Sequence, residues 1–369
     1  MLKDRAQKAT ALKLCVSKRW LPQIEIDVEA TTRLEQSRFL LTDIDVLAVA
    51  PSTIGPHTKL IFDCKSGARE SAIGRAFWLH GVMTKTSASH GFVVLSEKVK
   101  ITHDHRTSAS DLGVSLLHEK EIGDLAQCLG GSTSSIDAAT SDINVWEQFL
   151  AIGPKYIGLT SYCRFSRSGF WMIKDGGEQC RKTVARLRAI GPELDPEKPE
   201  HLAVFGDALC LFLLALSDIA NRLFLVLLRP ASQEEFSTSI LALLYGGYDN
   251  LEAAQKIRHL TAGDAAAESS LSIFPELKRF EQLVREVLQA PQEVLAASLL
   301  ARETGFCTLA ELKSSSLQKQ IVKESPFSAK YVLIAGEYLQ KAARLPQEFS
   351  VHFSDISMKL SADALSPRH

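Results

Sequence analysis

The period of the hydrophobic pattern changes about a third of the way along the chain. Residues 4–18 are rich in Ala, Leu, Lys and Gln with no Gly or Pro, which predicts a helix ended by Trp20-Leu21-Pro22. Residues 23–29 (QIEIDVE), 43–50 (DIDVLAVA) and 59–64 (KLIFDC) then read as three strands. Gly55-Pro56 and Pro51 mark a hairpin loop between the second and third. Residues 68–84 return to helical spacing, FVVLSE after His90-Gly91 is a short buried strand, and a further strand (113–117) and amphipathic helix (119–129) follow.

Residues 130–141 (GGSTSSIDAATS) are small and polar, as in a linker or long loop. Beyond them the pattern is mostly helical, over 201–228, 237–245, 250–260, 274–289, 291–304 and 329–343, with an irregular or strand-containing patch at 156–173. The expected organisation is an α/β domain over 1–130, a linker at 131–142, and a mainly α-helical domain over 143–369 that binds substrate or a partner. Residues 208–228 approach the length of a membrane span, but Asp218, Asn221 and Arg222 lie inside that stretch. A buried helix of a soluble domain is therefore expected, with no membrane partner.

Composition narrows the class. A hydrophobic share of 46% is ordinary for a globular chain, and a net charge of −1 makes local charge the thing to read. Seven cysteines, an odd number with no C-x-x-C pair, argue against a disulfide framework or a zinc ribbon. With no apolar leader in MLKDRAQKATALKLC, a reducing, cytoplasmic setting is expected.

The strands carry the chemistry. Asp is disfavoured within strands, yet one sits in each of two apolar runs. Asp43 and Asp45 share a face with Leu47 and Val49, and Asp63 shares one with Lys65. Antiparallel pairing would bring Asp45 and Asp63 within reach of one divalent cation. Carboxylates suit Mg²⁺ or Mn²⁺, which lowers the pKa of a bound water beside a scissile phosphate. Lys65 can orient or deprotonate that water, or stabilise the charge that develops. An isolated D-x-K is weak evidence, because a salt bridge at a strand end has the same residues.

In its order of elements, with DIDVLAVA followed by LIFDCKSG, the chain resembles the PD-(D/E)XK phosphodiesterase superfamily, which includes many restriction endonucleases and Holliday-junction resolvases. The resemblance spans roughly residues 4–129. It implies a restriction-endonuclease-like α-β-β-β-α-β core with a central mixed sheet flanked by helices. It also implies metal-dependent hydrolysis of a nucleic-acid phosphodiester, most simply DNA, in restriction, phage defence or repair. Asp45 matches the second-strand aspartate, with Asp43 competing, and Asp63-Cys64-Lys65 matches (D/E)-x-K. The Cys64 carbonyl is the further metal ligand so implied. There is one departure. Many members carry a glutamate on the first helix, and the matching position is near Gln7; Asp4 is the only acid on that helix and Glu25 an alternative.

Between Lys59 and Arg106, eight Lys and Arg face four Asp and Glu, a local surplus of +4. Ser66, Arg69 and Arg75 are the candidate nucleic-acid contacts, against the alternative of a solvated helix face. His103-Asp104-His105 reads as a loop histidine pair rather than a metal clip, and Phe77 and Trp78 as core. Arg164, Arg167, Arg181, Lys182, Arg186 and Arg188, with aromatic residues between, fit either a nucleic-acid surface or a charged helical face. Tyr245-Gly246-Gly247-Tyr248 reads as a turn between helices. The functional expectation is a metal-dependent nuclease that can act as a homodimer or with a protein partner. The alternatives are a catalytically inactive nuclease fold serving as a binding or assembly module, and a helical interaction protein regulated by its N-terminal domain.

Overall fold

Among the described residues, five strands pair in chain order into one mixed sheet. In the computed structural model, which describes residues 2–30, 39–52, 56–130, 137–227, 232–262 and 274–365, they are β1 (Leu21–Glu29), β2 (Leu40–Ala50), β3 (Thr58–Lys65), β4 (His90–Leu95) and β5 (Val114–His118). The β1–β2 and β2–β3 pairs are antiparallel, as short connections allow. The β3–β4 and β4–β5 pairs are parallel, each with a helix in the crossover: α2 (Ala72–Thr86) and α3 (His103–Asp111). Helices α1 (Arg5–Ser17) and α4 (Glu121–Cys128) complete the layer arrangement. The expected mixed sheet flanked by helices, followed by a mainly helical region, is what the chain forms.

Helix α1 buries Lys8, Ala11, Leu12 and Cys15, one stripe at helical spacing. Strand β3 buries both faces, which suits its place between β2 and β4. The close approach of α2 to β4 depends on Gly91, where an added Cβ would lie 2.7 Å from Leu79 Cδ2 and 2.8 Å from Met83 Sδ. Helix α3 was hidden in sequence, because its residues are almost all polar. Thr102 caps it, accepting from His105 N at 3.2 Å, while His105 Nδ1 accepts from Thr102 N. The His103-Asp104-His105 run is thus the first turn of a helix and not a loop.

The chain divides into two compact units: Met1–Ser52, His57–Met172 and Phe306–Leu317 form one, and Thr53–Pro56, Ile173–Gly305 and Gln318–His369 the other. The sheet-bearing unit therefore runs past the composition change at 130–141, of which residues 131–136 lie outside the described residues. Its later part is α5 (Ile143–Leu150), α6 (Ile152–Lys155) and α7 (Thr160–Arg164), then tight helical turns to Met172. The strand considered for 156–173 does not form. Phe165, Phe170 and Trp171 are buried there on helical turns, with Trp171 Nε1 donating to Ser166 O at 2.9 Å.

Among the described residues, the second unit is built of helices: α8 (Gly176–Ile190), α9 (Pro199–Leu227), α10 (Gln233–Tyr245), α11 (Tyr248–Ala262), α12 (Leu277–Val287), most of α13 (Val294–Leu309) and α14 (Ser316–Glu324), α15 (Phe327–Ala343) and α16 (Gln347–Leu365). Helix α9 is long and apolar enough to cross a membrane, but 94% of its most apolar window is buried inside the protein, so here it is the unit's core helix. Arg222 sits at its exposed end, paired with Asp175 at 3.2 Å. Gly246 (φ 74°) closes α10 in the left-handed conformation, so the Tyr-Gly-Gly-Tyr run is the expected turn between helices.

Candidate active site

The β2–β3 ladder runs from Ala50 opposite Thr58 to Val46 opposite Phe62. Beyond it, Asp45 Oδ2 accepts the Cys64 backbone N–H at 2.8 Å and the Lys65 ammonium at 3.0 Å. Lys65 Nζ also lies 3.1 Å from Asp63 Oδ1. One ammonium thus bridges the two aspartates that the sequence singles out. Both carboxylates are buried, while Lys65 keeps 22% of its side chain exposed.

Two further cations close the cluster. Arg75, reaching from α2, grips Asp63 with both arms of its guanidinium, Nε to Oδ2 at 2.6 Å and a terminal nitrogen to Oδ1. It also lies 4.1 Å over the Trp78 ring. Lys8, from α1, lies 2.9 Å from Asp45 Oδ1 and pairs with Glu25 on β1. Glu25 has a left-handed backbone (φ 55°) in mid-strand, between Ile24 paired with Val46 and Ile26 paired with Ile44. A side chain other than glycine there costs about 1 kcal/mol or more, and such strain collects at functional sites. Three acids on neighbouring strands (Glu25, Asp45, Asp63) therefore alternate with three cations supplied by α1, β3 and α2 (Lys8, Lys65, Arg75).

Burial raises the pKa of Asp63, although Arg75 and Lys65 pull it down. Burial opposes charge on Lys65 too, but Asp63 and Asp45 outweigh it and raise its pKa; Asp45 and Glu25 do the same for Lys8. Both lysines are ammonium ions at neutral pH. Burial also pushes the Cys64 thiol well above its usual range, so its side chain offers no thiolate.

Helix α1 is fastened at the mouth of this cluster. Asp4 Oδ1 accepts from Ser66 N at 2.7 Å and Ser66 Oγ at 2.5 Å. Burial would raise the Asp4 pKa, but those bonds with the Lys65 and Lys8 charges hold it below its usual value. Gln7 does not face the aspartates: its Nε2 donates to Glu119 Oε2 at 2.9 Å. The first-helix residue that reaches Asp45 is its neighbour Lys8. Sequence reasoning passed over Lys8, although its place in the stripe with Ala11, Leu12 and Cys15 marked it as facing inward.

Of the expected nucleic-acid contacts, Ser66 is exposed at the mouth but bonded to Asp4, Arg69 is exposed on the surface, and Arg75 is drawn into the cluster. Phe77 is 62% exposed, contrary to the expectation of a core residue, because its helical phase turns it away from the buried Ala76 and Leu79. Arg167 and Arg164 pair with Asp27 and Glu29 on β1.

Among the described residues, no group of three or more His, Cys, Asp or Glu is placed to hold a metal ion. Two carboxylates and a backbone carbonyl nevertheless fit the donor chemistry of Mg²⁺ or Mn²⁺, which accept one or two carboxylates and keep waters for the rest. The Lys65 ammonium, within 3.0 and 3.1 Å of one oxygen from each aspartate, marks where a single positive charge is shared. Comparison of the chain with protein-family models, with curated proteins and with solved structures finds no match.

Proposed function

We propose that this chain is a metal-dependent nuclease with a restriction-endonuclease-like N-terminal domain. The observation that carries the reading is the convergence of Asp45, Asp63 and Lys65 at the end of the β2–β3 ladder. Asp45, Asp63 and the Cys64 carbonyl would hold Mg²⁺ or Mn²⁺, which when bound lowers the pKa of a water and neutralises charge on the phosphate. Lys65, held charged by its two carboxylates, is suited to donate to a phosphate oxygen as negative charge builds there, and unsuited to remove a proton. Arg75 fixes the Asp63 carboxylate from α2, and exposed Arg69 is available to backbone phosphates, which position a duplex without reading its sequence. DNA is the expected substrate.

The balance of three acids against three cations favours a second reading. A cluster already neutral has no electrostatic need of a metal, and the chain would then be an inactive nuclease fold serving as a nucleic-acid-binding or assembly module. The helical region would recruit a protein partner or a second copy under either reading, in a cytoplasmic setting.

The test incubates the full chain with linear, circular and single-stranded DNA and with RNA, in Mg²⁺ or Mn²⁺, beside Asp63→Ala and Lys65→Ala. Cleavage by the wild type that drops about 100-fold or more in both variants is the expected result. Substrates left equally intact by all three proteins would move the conclusion to the second reading. Cleavage unchanged in both variants would mean that the chemistry lies elsewhere.

A further inference from the structure

Asp45 carries a cation on each of its oxygens: Lys8 on Oδ1 at 2.9 Å and Lys65 on Oδ2 at 3.0 Å. Two-ion phosphodiesterase centres hold two cations about 3.5–4 Å apart, and Asp45 likewise holds two cations, one on each oxygen. The two ammoniums differ in access. Lys65 stands at the mouth with 22% of its side chain exposed, whereas Lys8 is 2% exposed, enclosed by α1 and the first two strands. Its second partner, Glu25, is presented from a strained left-handed backbone in mid-strand. The first turn of α1 is pinned by Asp4 on Ser66 and Gln7 on Glu119, which fixes where Lys8 enters.

We propose that Lys8 is a permanent resident cation of the site: it fills, from α1, the position of a second divalent ion, so that the chain binds one divalent cation per molecule. This rests on the metal-dependent reading above. The side of Asp45 that faces Lys65 and Asp63 is the side open to exchange of an ammonium for a metal, because Lys65 stands 22% exposed at the mouth. The side that faces Glu25 is not, because Lys8 is only 2% exposed and its charge is held by two carboxylates. Lys8 acts through Asp45 and is a positioning residue. It keeps that carboxylate charged and aimed, and it supplies the positive charge that a second ion would bring.

The experiment is an Mn²⁺ titration of the full-length chain without nucleic acid, with bound ion counted by electron paramagnetic resonance and by calorimetry. Wild type is expected to bind one Mn²⁺, and Lys8→Met, which keeps the length but loses the charge, to bind two. Two ions in the wild type, or one in a folded Lys8→Met, would overturn the assignment. Glu25→Gln provides a measurement that does not depend on Lys8→Met folding. Glu25 is the lysine's partner here and not a metal ligand, so that variant should keep one Mn²⁺ with affinity within about twofold of wild type. A tenfold or greater loss there would make Glu25 a ligand and remove Lys8 from the role. A wild type that binds no Mn²⁺ would overturn the metal-dependent reading itself, and this inference with it.

Discussion

At the residue scale, like charges on neighbouring strands repel unless something stands between them. Asp45 and Asp63 are both buried, and it is the interleaving of Lys8, Lys65 and Arg75 that makes their burial tolerable. This has a consequence for pH. The pKa values of Lys8 and Lys65 are raised in the folded chain, whereas the unfolded chain releases those protons near the ordinary lysine value of about 10.4. Their contribution is fully present below that pH and is lost as pH rises through the folded values. The wild-type melting temperature is expected to fall steeply above about pH 10.4. Lys8→Met, which has already lost its share, should show the shallower slope, and thermal denaturation at a series of alkaline pH values measures the difference.

At the element scale, the strands and their order were legible because alternation and β-branched runs report burial directly. Helix α3 was not, since a helix that buries only Ala109 leaves no apolar stripe to find. Among the long helices, close packing is set by residues that a pattern does not mark. Gly206 on α9 faces Gly305 on α13, and an added Cβ would stand 2.9 Å from Gly305 Cα, 2.9 Å from Phe353 Cζ and 3.1 Å from the Ala301 carbonyl. Two of those three neighbours are backbone, which cannot rotate away. Gly206→Ala should therefore destabilise the helical unit by about 1–3 kcal/mol through overpacking, despite the better helix propensity of alanine. A calorimetric melting temperature equal to or above that of wild type would contradict the overpacking.

At the scale of the whole molecule, the sheet-bearing unit is not continuous in sequence. The segment Phe306–Leu317 belongs to it. The Phe306 ring lies 4.7 Å from Trp146 and 5.0 Å from Phe149, and Asp137 O accepts from Ser316 Oγ at 3.0 Å and from Leu317 N at 3.2 Å. A chain cut after Met172 lacks that cover over two buried aromatics. Losing a buried Phe costs about 3–5 kcal/mol, so the 1–172 fragment should be protease-sensitive under conditions where the full chain is not. Equal resistance, in a limited-proteolysis time course, would mean that the unit closes without the segment.

The sequence by itself determined the strands along the chain, the change to helices, and the choice of Asp45, Asp63 and Lys65 as candidates, because these depend on local periodicity and residue type. Tertiary structure alone decided which cations those carboxylates meet. Lys8 is 37 residues from Asp45, Arg75 is 12 from Asp63, and nothing local to either cation names its partner. The expected acid near Gln7 and the lysine found beside it differ by one position, about 100° around the helix. That angle turns Gln7 toward Glu119 and Lys8 into the site. Charge balance in a buried cluster is settled by which side chains the fold brings within about 3 Å, which a one-dimensional pattern does not encode.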